Sequence, residues 1–432
     1  MQINRRNFVK FAGYGAGLSL VNASLPVFAR GSKPPIGRVV IIGGGYAGAV
    51  AAKYLRAWSL GGIEVIVIEK NKQFVSCPLS NLVLGGSKMI NDLTFGYDVL
   101  KANHGIQWVQ DEVTAIDVTT KKVTMQRGDL RYDRLIIAPG IDFIYDDLPM
   151  LASADVQHQI PHAWKAGWQT VNLHEQLAAM PNGGVFVMNV PKAPYRCPPG
   201  PYERAAQAAY YLKNHKPKSK VIVLDANVEI ISKKGLFTKV FNDMYAGIID
   251  YRPNNALLDV DVATKTVRTD FDSVRADVLN IIPPQRAGKP AQMTTINGQL
   301  IGLNNVDKRW CEVDFLSYES KLAANIHVIG DAVSAALPKS AHMATNQAKI
   351  CANAIVQLMA GQAPDPAPVF ANTCYSYVTD KLAMHVANVY RYDITKKIMV
   401  SAEGGGVSMS PSENEGGYAV AWAQNIWADM LT

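Results

Sequence analysis

The chain has 432 residues, 48% hydrophobic and 18% charged, the composition of a soluble globular protein with room for two or three packed domains. Its formal charge of +7 falls to about +4 once Arg5, Arg6 and Lys10 of the first 29 residues are set aside, too small and dispersed an excess to argue for a nucleic-acid partner. No apolar run beyond those residues is long enough to span a bilayer.

Asn4-Arg5-Arg6-Asn7-Phe8-Val9-Lys10 resembles the twin-arginine export motif. Phe11 to Leu25 is a moderately apolar stretch rich in Gly and Ala, and Val27-Phe28-Ala29 has the small-residue form of a cleavage site. Residues 1–29 are therefore expected to be a signal peptide, with an amphipathic first helix of the fold as the alternative. Such a leader exports a folded, cofactor-loaded protein to the periplasm, where disulfides persist. Residues 30–37 read as a short linker.

The stretch from Arg38 to Glu69 carries the strongest motif. Arg38 to Ile42 reads as a buried parallel strand, Tyr46 to Ser59 as a helix and Ile63 to Ile68 as a second strand. Gly43, Gly45 and Gly48 lie between them at G-x-G-x-x-G spacing. Gly43 makes the tight turn, Gly45 lets a pyrophosphate approach the backbone, and Gly48 lets helix and strand pack closely. The helix N-terminus then faces the phosphates, and Glu69 accepts from a ribose diol. The acid disfavours a 2′-phosphate, so FAD or NAD fits better than NADP. Lys70 to Asn81 is a loop running into a helix, where the chain crosses a bound cofactor. Gln107 to Val113 and Lys121 to Met125 read as a small antiparallel element. Tyr132 to Gly140 is similar to the second short motif of two-dinucleotide flavoproteins, a strand ending in Ala138-Pro139-Gly140.

A second α/β unit is expected from about 150 to 283, with Gly183 to Val190 as its first strand and Val221 to Leu224, closed by Asp225, as its second. The turn between them, PKAPYRCPPGPYERA over 191–205, has prolines and the bulky Tyr195 and Arg196 where a nicotinamide-binding turn needs glycines. The expectation is a unit that no longer binds NAD(P)H. Asn325 to Ala332 is a strand ending in Gly330-Asp331, and Pro338 to Lys349 opens a helix running through Cys351 to Met359. A proline-rich joint, Ala363 to Pro368, leads to a C-terminal unit with Cys374, Trp422 and Trp427.

Of the five cysteines, none forms a C-x-x-C pair, no C-x-x-C-H attaches a c-type haem, and no His/Cys cluster has zinc spacing, so no metal site is expected. Cys311 and Cys351 read as core thiols, Trp422 and Trp427 as core or interface, and His342 and His385 as surface or capping histidines.

Taken together, FVSCPLSN (74–81), CPPGPYERA (197–205), NIIPPQRAG (280–288), IHVIGDA (326–332), PKSAHMATNQAK (338–349) and NTCYSY (372–377) resemble the flavoprotein subunit of flavocytochrome c sulfide dehydrogenase, over essentially the whole chain. The resemblance implies an α/β fold of the two-dinucleotide-binding-domain, glutathione-reductase-like kind: two Rossmann-like domains plus a C-terminal α+β domain. The FAD-binding domain would comprise 36–149 and 284–365, the second Rossmann-like domain 150–283, and the C-terminal domain 366–432. FAD would be held by Gly43, Gly45, Gly48, Glu69, Lys70, Ala138, Gly140, Asp331 and Lys339, and joined covalently through Cys77 in some members. Cys197 and Cys374 would form a redox-active disulfide, with Glu203 as the neighbouring base. The implied activity is oxidation of hydrosulfide to sulfane sulfur or polysulfide, with electrons leaving to a separate c-type cytochrome subunit.

Each assignment has a plainer reading. Cys197 and Cys374 are compatible with an ordinary structural bridge, Cys77 with a small buried apolar side chain, and Glu203 with a first-turn helix acid. A sulfide:quinone reductase and a non-enzymatic FAD-binding partner are the alternative functions; an NADH-dependent disulfide reductase is disfavoured by the proline-rich turn.

Overall fold

A computed structural model describes residues 35–432, so the leader expected at 1–29 lies outside the described residues. The chain opens with β1 (Gly37–Ile42), α1 (Tyr46–Trp58) and β2 (Ile63–Ile68). These are followed by the short helix α2 (Ser80–Leu84), β3 (Gln107–Val109) and β4 (Arg134–Ile137). The β-branched runs of β1, β2 and β4 are buried almost throughout, as a sheet covered on both faces requires. Alanines 47, 49, 51 and 52 with Gly48 give α1 a narrow inner face, and a long later helix packs closely against it.

Gln107–Val109 departs from the sequence expectation. It does not pair with the 122–125 strand but runs parallel to β2 as an edge of the main sheet. The antiparallel partner of Lys122–Met125 is Val113–Asp117. The bend at residues 110–112 separates two strands that alternation in the sequence had merged, with Asp111 anchoring it through the Glu112 and Arg127 N–H groups.

The second unit repeats the plan. It comprises β5 (Val185–Val190), α3 (Gly200–His215), β6 (Lys220–Asp225), α4 (Lys234–Lys239), β7 (Ile249–Arg252) and β8 (Val278–Asn280). The chain then adds β9 (Ile326–Val328) and α5 (Ala341–Met359). All pairings in both main sheets are parallel, in the orders β9-β4-β1-β2-β3 and β7-β6-β5-β8. Each first strand thus sits between its second strand and a later crossover, the doubly wound arrangement that opens a crevice at the strand C-termini. Late β9 completes the first sheet.

An antiparallel sheet of β10 (Val369–Tyr377), β11 (Ala383–Asp393) and β12 (Ile398–Val407), followed by α6 (Glu413–Leu431), closes the chain. Ser412 caps α6 by accepting from the Glu415 N–H at 3.2 Å. Asp429 ties its far end to Lys349 on α5 (2.8 Å) and to the Tyr54 hydroxyl on α1 (2.6 Å). Trp427 donates to the Tyr46 hydroxyl and Ser76 Oγ, both at 3.1 Å, and so is an interface side chain. No helix among the described residues is long and apolar enough to cross a membrane.

Candidate active site

The glycine turn after β1 forms as its spacing requires. Gly43 takes φ +103°, and a Cβ there would lie 2.4 Å from the Ala138 carbonyl oxygen. At Gly48 a Cβ would fall 1.8 Å from the Gly43 oxygen. Gly45 is different: a Cβ on it would meet no protein atom within 4 Å. The space beside it is therefore open to a ligand. Helix α1 starts at that point with no side-chain cap hydrogen bond and no acid in its first turn, so its leading N–H groups and positive dipole end face the turn. Glu69 accepts from the Gly44 N–H at 2.7 Å and is clasped by Asn71, which places its carboxylate at the rim of the turn. Ala138 and Gly140, the latter at φ +64°, line the adjacent end of β4. Asp331 follows β9 beside Gly330, half-buried, with burial raising its carboxyl above the usual range. This donor set fits a dinucleotide whose diphosphate lies on α1.

Two other residues expected at the cofactor, Lys70 and Lys339, make contacts within the protein. Lys70 is exposed and pairs with Glu112 at 3.5 Å. Lys339 is buried above the Trp310 ring, donating to the Asp331 and Val333 carbonyls at 2.8 and 2.6 Å, and burial lowers its ammonium to about 8. It holds the loop between β9 and α5 together from within.

In the second unit the corresponding turn is filled by protein. Tyr195 is buried and its hydroxyl donates to the Pro198 carbonyl, while Asn227 spans Pro191 and Ala193. Asp225, the counterpart of Glu69, is fully buried. Its carboxylate accepts from the Tyr202 and Tyr251 hydroxyls and from the N–H and amide of Asn227, all at 2.8 Å. No acceptor is left for a ribose.

The same turn delivers Cys197 to the cleft. Its backbone is left-handed (φ +59°), uncommon for a side-chain-bearing residue, and its N–H donates to the Lys339 carbonyl at 2.7 Å. From the far side β10 brings Cys374, whose sulfur contacts the Asn372 amide at 3.4 Å. Asn372 in turn accepts from Ser340 at 2.6 Å. Residues 339–340 therefore hold both cysteine segments, 177 positions apart in sequence. Both stand as free thiols, and burial, then the neighbouring Cys374 and Glu203, pushes the Cys197 thiol well above its ordinary range. Glu203, in the first turn of α3, accepts from the Tyr377 N–H (2.9 Å) and the Asn81 amide (3.1 Å), and burial raises its carboxyl. Cys77 sits half-buried at the start of the segment leading into α2, and its carbonyl accepts from Ser80 Oγ at 2.7 Å.

Sequence reasoning passed over Lys233 and Arg204. Lys233, just before α4, is buried with its ammonium on the Cys374 carbonyl (3.0 Å) and Ser376 Oγ (2.8 Å). Arg204 is buried under Glu203, donating to Asn81, Asn280 and the His162 and Ala163 carbonyls. A signal for Arg204 existed, a charge on the apolar face of a helix; Lys233 carried none. The histidines also differ from expectation. His342 is half-buried, accepting from the Thr373 N–H of β10 at 3.0 Å, and His385, itself on β11, contacts Glu415 of α6 and Ser408 at 2.9 Å. Cys311 and Cys351 are wholly buried. Among the described residues no cluster of His, Cys, Asp and Glu has metal-binding geometry.

Comparisons with known proteins agree with this geometry. Residues 170–283 match the family model for the central part of the sulfide dehydrogenase (flavocytochrome c) flavoprotein chain, and 366–431 match the flavin-binding model of flavocytochrome c sulphide dehydrogenase. Residues 37–160 match the pyridine nucleotide-disulphide oxidoreductase model. The chain is 22% identical over 330 residues to the mitochondrial sulfide:quinone oxidoreductase of Dictyostelium discoideum, covering 72% of this chain and 69% of that one. Its fold is similar to the sulfide:quinone oxidoreductase of Aquifex aeolicus (TM-score 0.72, 18% identity, 91% of each chain). It is also similar to an NAD-dependent persulfide reductase from A. fulgidus (TM-score 0.60, 16% identity, 91% of this chain and 77% of that one).

Proposed function

The chain is a FAD flavoprotein oxidoreductase of the flavocytochrome c sulfide dehydrogenase family, and from that premise we propose that it oxidises hydrosulfide to sulfane sulfur at Cys197 and Cys374. The observation that carries the reading is the convergence of these two thiols with buried Glu203, from a proline-rich turn and a C-terminal strand, in one cleft.

In the oxidised protein the pair is a disulfide. Hydrosulfide attacks one sulfur; the Cys–Cys bond breaks as a new S–S bond forms, leaving a persulfide on one cysteine and a thiolate on the other. The Glu203 carboxyl, lifted by burial, is poised to take the substrate proton and is aimed by Asn81 and the Tyr377 N–H. Asn372 steadies the Cys374 sulfur, and the Lys339 carbonyl holds Cys197 in place. FAD, when bound, would supply a two-electron acceptor that can be reoxidised one electron at a time. Gly45, the α1 N-terminus and Glu69 would hold its adenosine diphosphate half, Asp331 its ribityl chain, and Cys77 a covalent link to the ring. The match of residues 366–431 to the flavocytochrome c model supports a separate c-type cytochrome as the acceptor, and the twin-arginine-like stretch Asn4 to Lys10 supports the periplasm as the site of action.

Anaerobic mixing with sulfide tests the reading. The parent protein should lose its flavin absorbance rapidly, and Cys197→Ser should slow that loss by at least about 10²-fold. Bleaching of Cys197→Ser at the parent rate would sink the disulfide route. Acid precipitation of the same samples should leave the yellow colour with the polypeptide; colour in the supernatant would remove the Cys77 link.

A further inference from the structure

Lys233 does not enter the steps above, yet its ammonium is held on the backbone of Cys374. It lies in a left-handed backbone conformation (φ +54°) at the N-terminus of α4, a strained setting for a long side chain. The strain carries the side chain inward to the Cys374 carbonyl at 3.0 Å and Ser376 Oγ at 2.8 Å. Those two bonds use two of its three N–H donors. The adjacent Lys234 points outward and pairs with Glu229 on the surface, so the burial of Lys233 is not a general property of this basic stretch. Each element around it presents an ionisable or charged group. Cys374 comes from β10, Cys197 from the proline-rich turn, Glu203 from α3 and Glu415 from α6, with Arg196 beside Cys197 and Arg204 beside Glu203.

A buried ammonium is costly and persists where it balances negative charge. Glu203 contributes one such charge, and the thiolate released when the disulfide is attacked would add a second.

We propose that Lys233 is a positioning residue of the cysteine pair: anchored on the Cys374 backbone, its ammonium offsets the negative charge that appears on the sulfurs once the disulfide opens. The inference rests on the reading that the pair does sulfur chemistry, and deepens it. Burial lowers the ammonium to about 8, so this balance is present at neutral pH and is lost in alkali.

The test is the pH dependence of thiol alkylation in the full-length, FAD-containing protein. The pair is reduced with dithiothreitol, exposed to iodoacetamide, and read by mass spectrometry of the peptides carrying Cys197 and Cys374. Lys233→Met should move the alkylation midpoint of the more reactive thiol upward by about one pH unit or more, slowing modification at pH 7.5 roughly tenfold. Lys233→Arg should return it to within about threefold of the parent. Glu203→Gln, which removes the opposing charge, should move the midpoint the other way and serves as the second arm where Lys233→Met loses its flavin or fold. A parent-like profile in folded Lys233→Met, or an unmoved midpoint in Glu203→Gln, overturns the proposal. Absence of sulfide-dependent bleaching in the parent would instead overturn the proposed function, while the alkylation profiles would still report on Lys233.

Discussion

Gly45 and Gly48 stand three residues apart and answer to different constraints. A side chain at Gly48 collides with the Gly43 carbonyl, so the fold forbids it; at Gly45 it collides with nothing in the protein. Gly45→Ala should therefore fold with an unchanged melting temperature yet bind FAD about 10- to 100-fold more weakly, the effect of forcing a methyl group against a close-packed ligand. Reconstitution of apoprotein with FAD measures this, and parent-like affinity would show that the diphosphate does not approach the turn. Gly48→Ala should instead fail at the level of folding. Both glycines were legible from spacing alone. The cysteine pair was an expectation from resemblance alone, since a separation of 177 positions hides any contact. Lys233 was not legible at all: it and Lys234 are indistinguishable in sequence, and only the turn before α4 decides which ammonium is buried.

At the scale of elements, the two β-turn-α units show one topology doing two jobs. In the first, a bare turn and a half-exposed acid leave room for a dinucleotide. In the second, Tyr195 and the prolines occupy the turn, and Asp225 spends its carboxylate on two tyrosines and an asparagine. Anaerobic addition of NADH should leave the flavin spectrum unchanged over minutes; reduction by NADH would mean that this turn opens. The filled turn presents Cys197 in its strained backbone, while α3 begins two residues after Pro198 and sets Glu203 beside it. The prolines could be read from sequence. That Asp225 is consumed could not, because Tyr202, Tyr251 and Asn227 lie at unrelated spacings and meet only when α3, β6 and β7 pack.

Across the whole molecule, two histidines buried without charge tie stability to acidity. His327 in β9 contacts the Ser317 carbonyl through Nδ1 at 2.8 Å and the Arg134 guanidinium through Nε2 at 3.1 Å, so a second ring proton would face a cation. His162 accepts from the Trp164 N–H at 2.9 Å, with Lys165 and Arg204 nearby. Burial is the main cause that lowers both to about 3. The folded values lie below the ordinary value near 6.5, so the unfolded chain takes up the protons first. Their contribution is complete above pH 6.5 and is lost as pH falls towards 3, at about 1.4 kcal/mol per pH unit for each, or about 2.7 together. Urea unfolding at pH 7, 6 and 5 should show this slope, and His327→Gln should remove roughly half of it. An unaltered slope in that variant would mean that His327 does not carry the effect.

The sequence by itself determined the two α/β repeats, the nucleotide turn and the proline-rich form of its counterpart, because these depend on neighbours within about thirty residues, where backbone stereochemistry and apolar period act directly. The edge strand Gln107–Val109, the contacts of His342 and His385, and the charges gathered around Cys197 and Cys374 were decided only in three dimensions. They depend on which surfaces meet when distant segments pack, and a side chain's charge and reactivity are set by that enclosure rather than by its place along the chain.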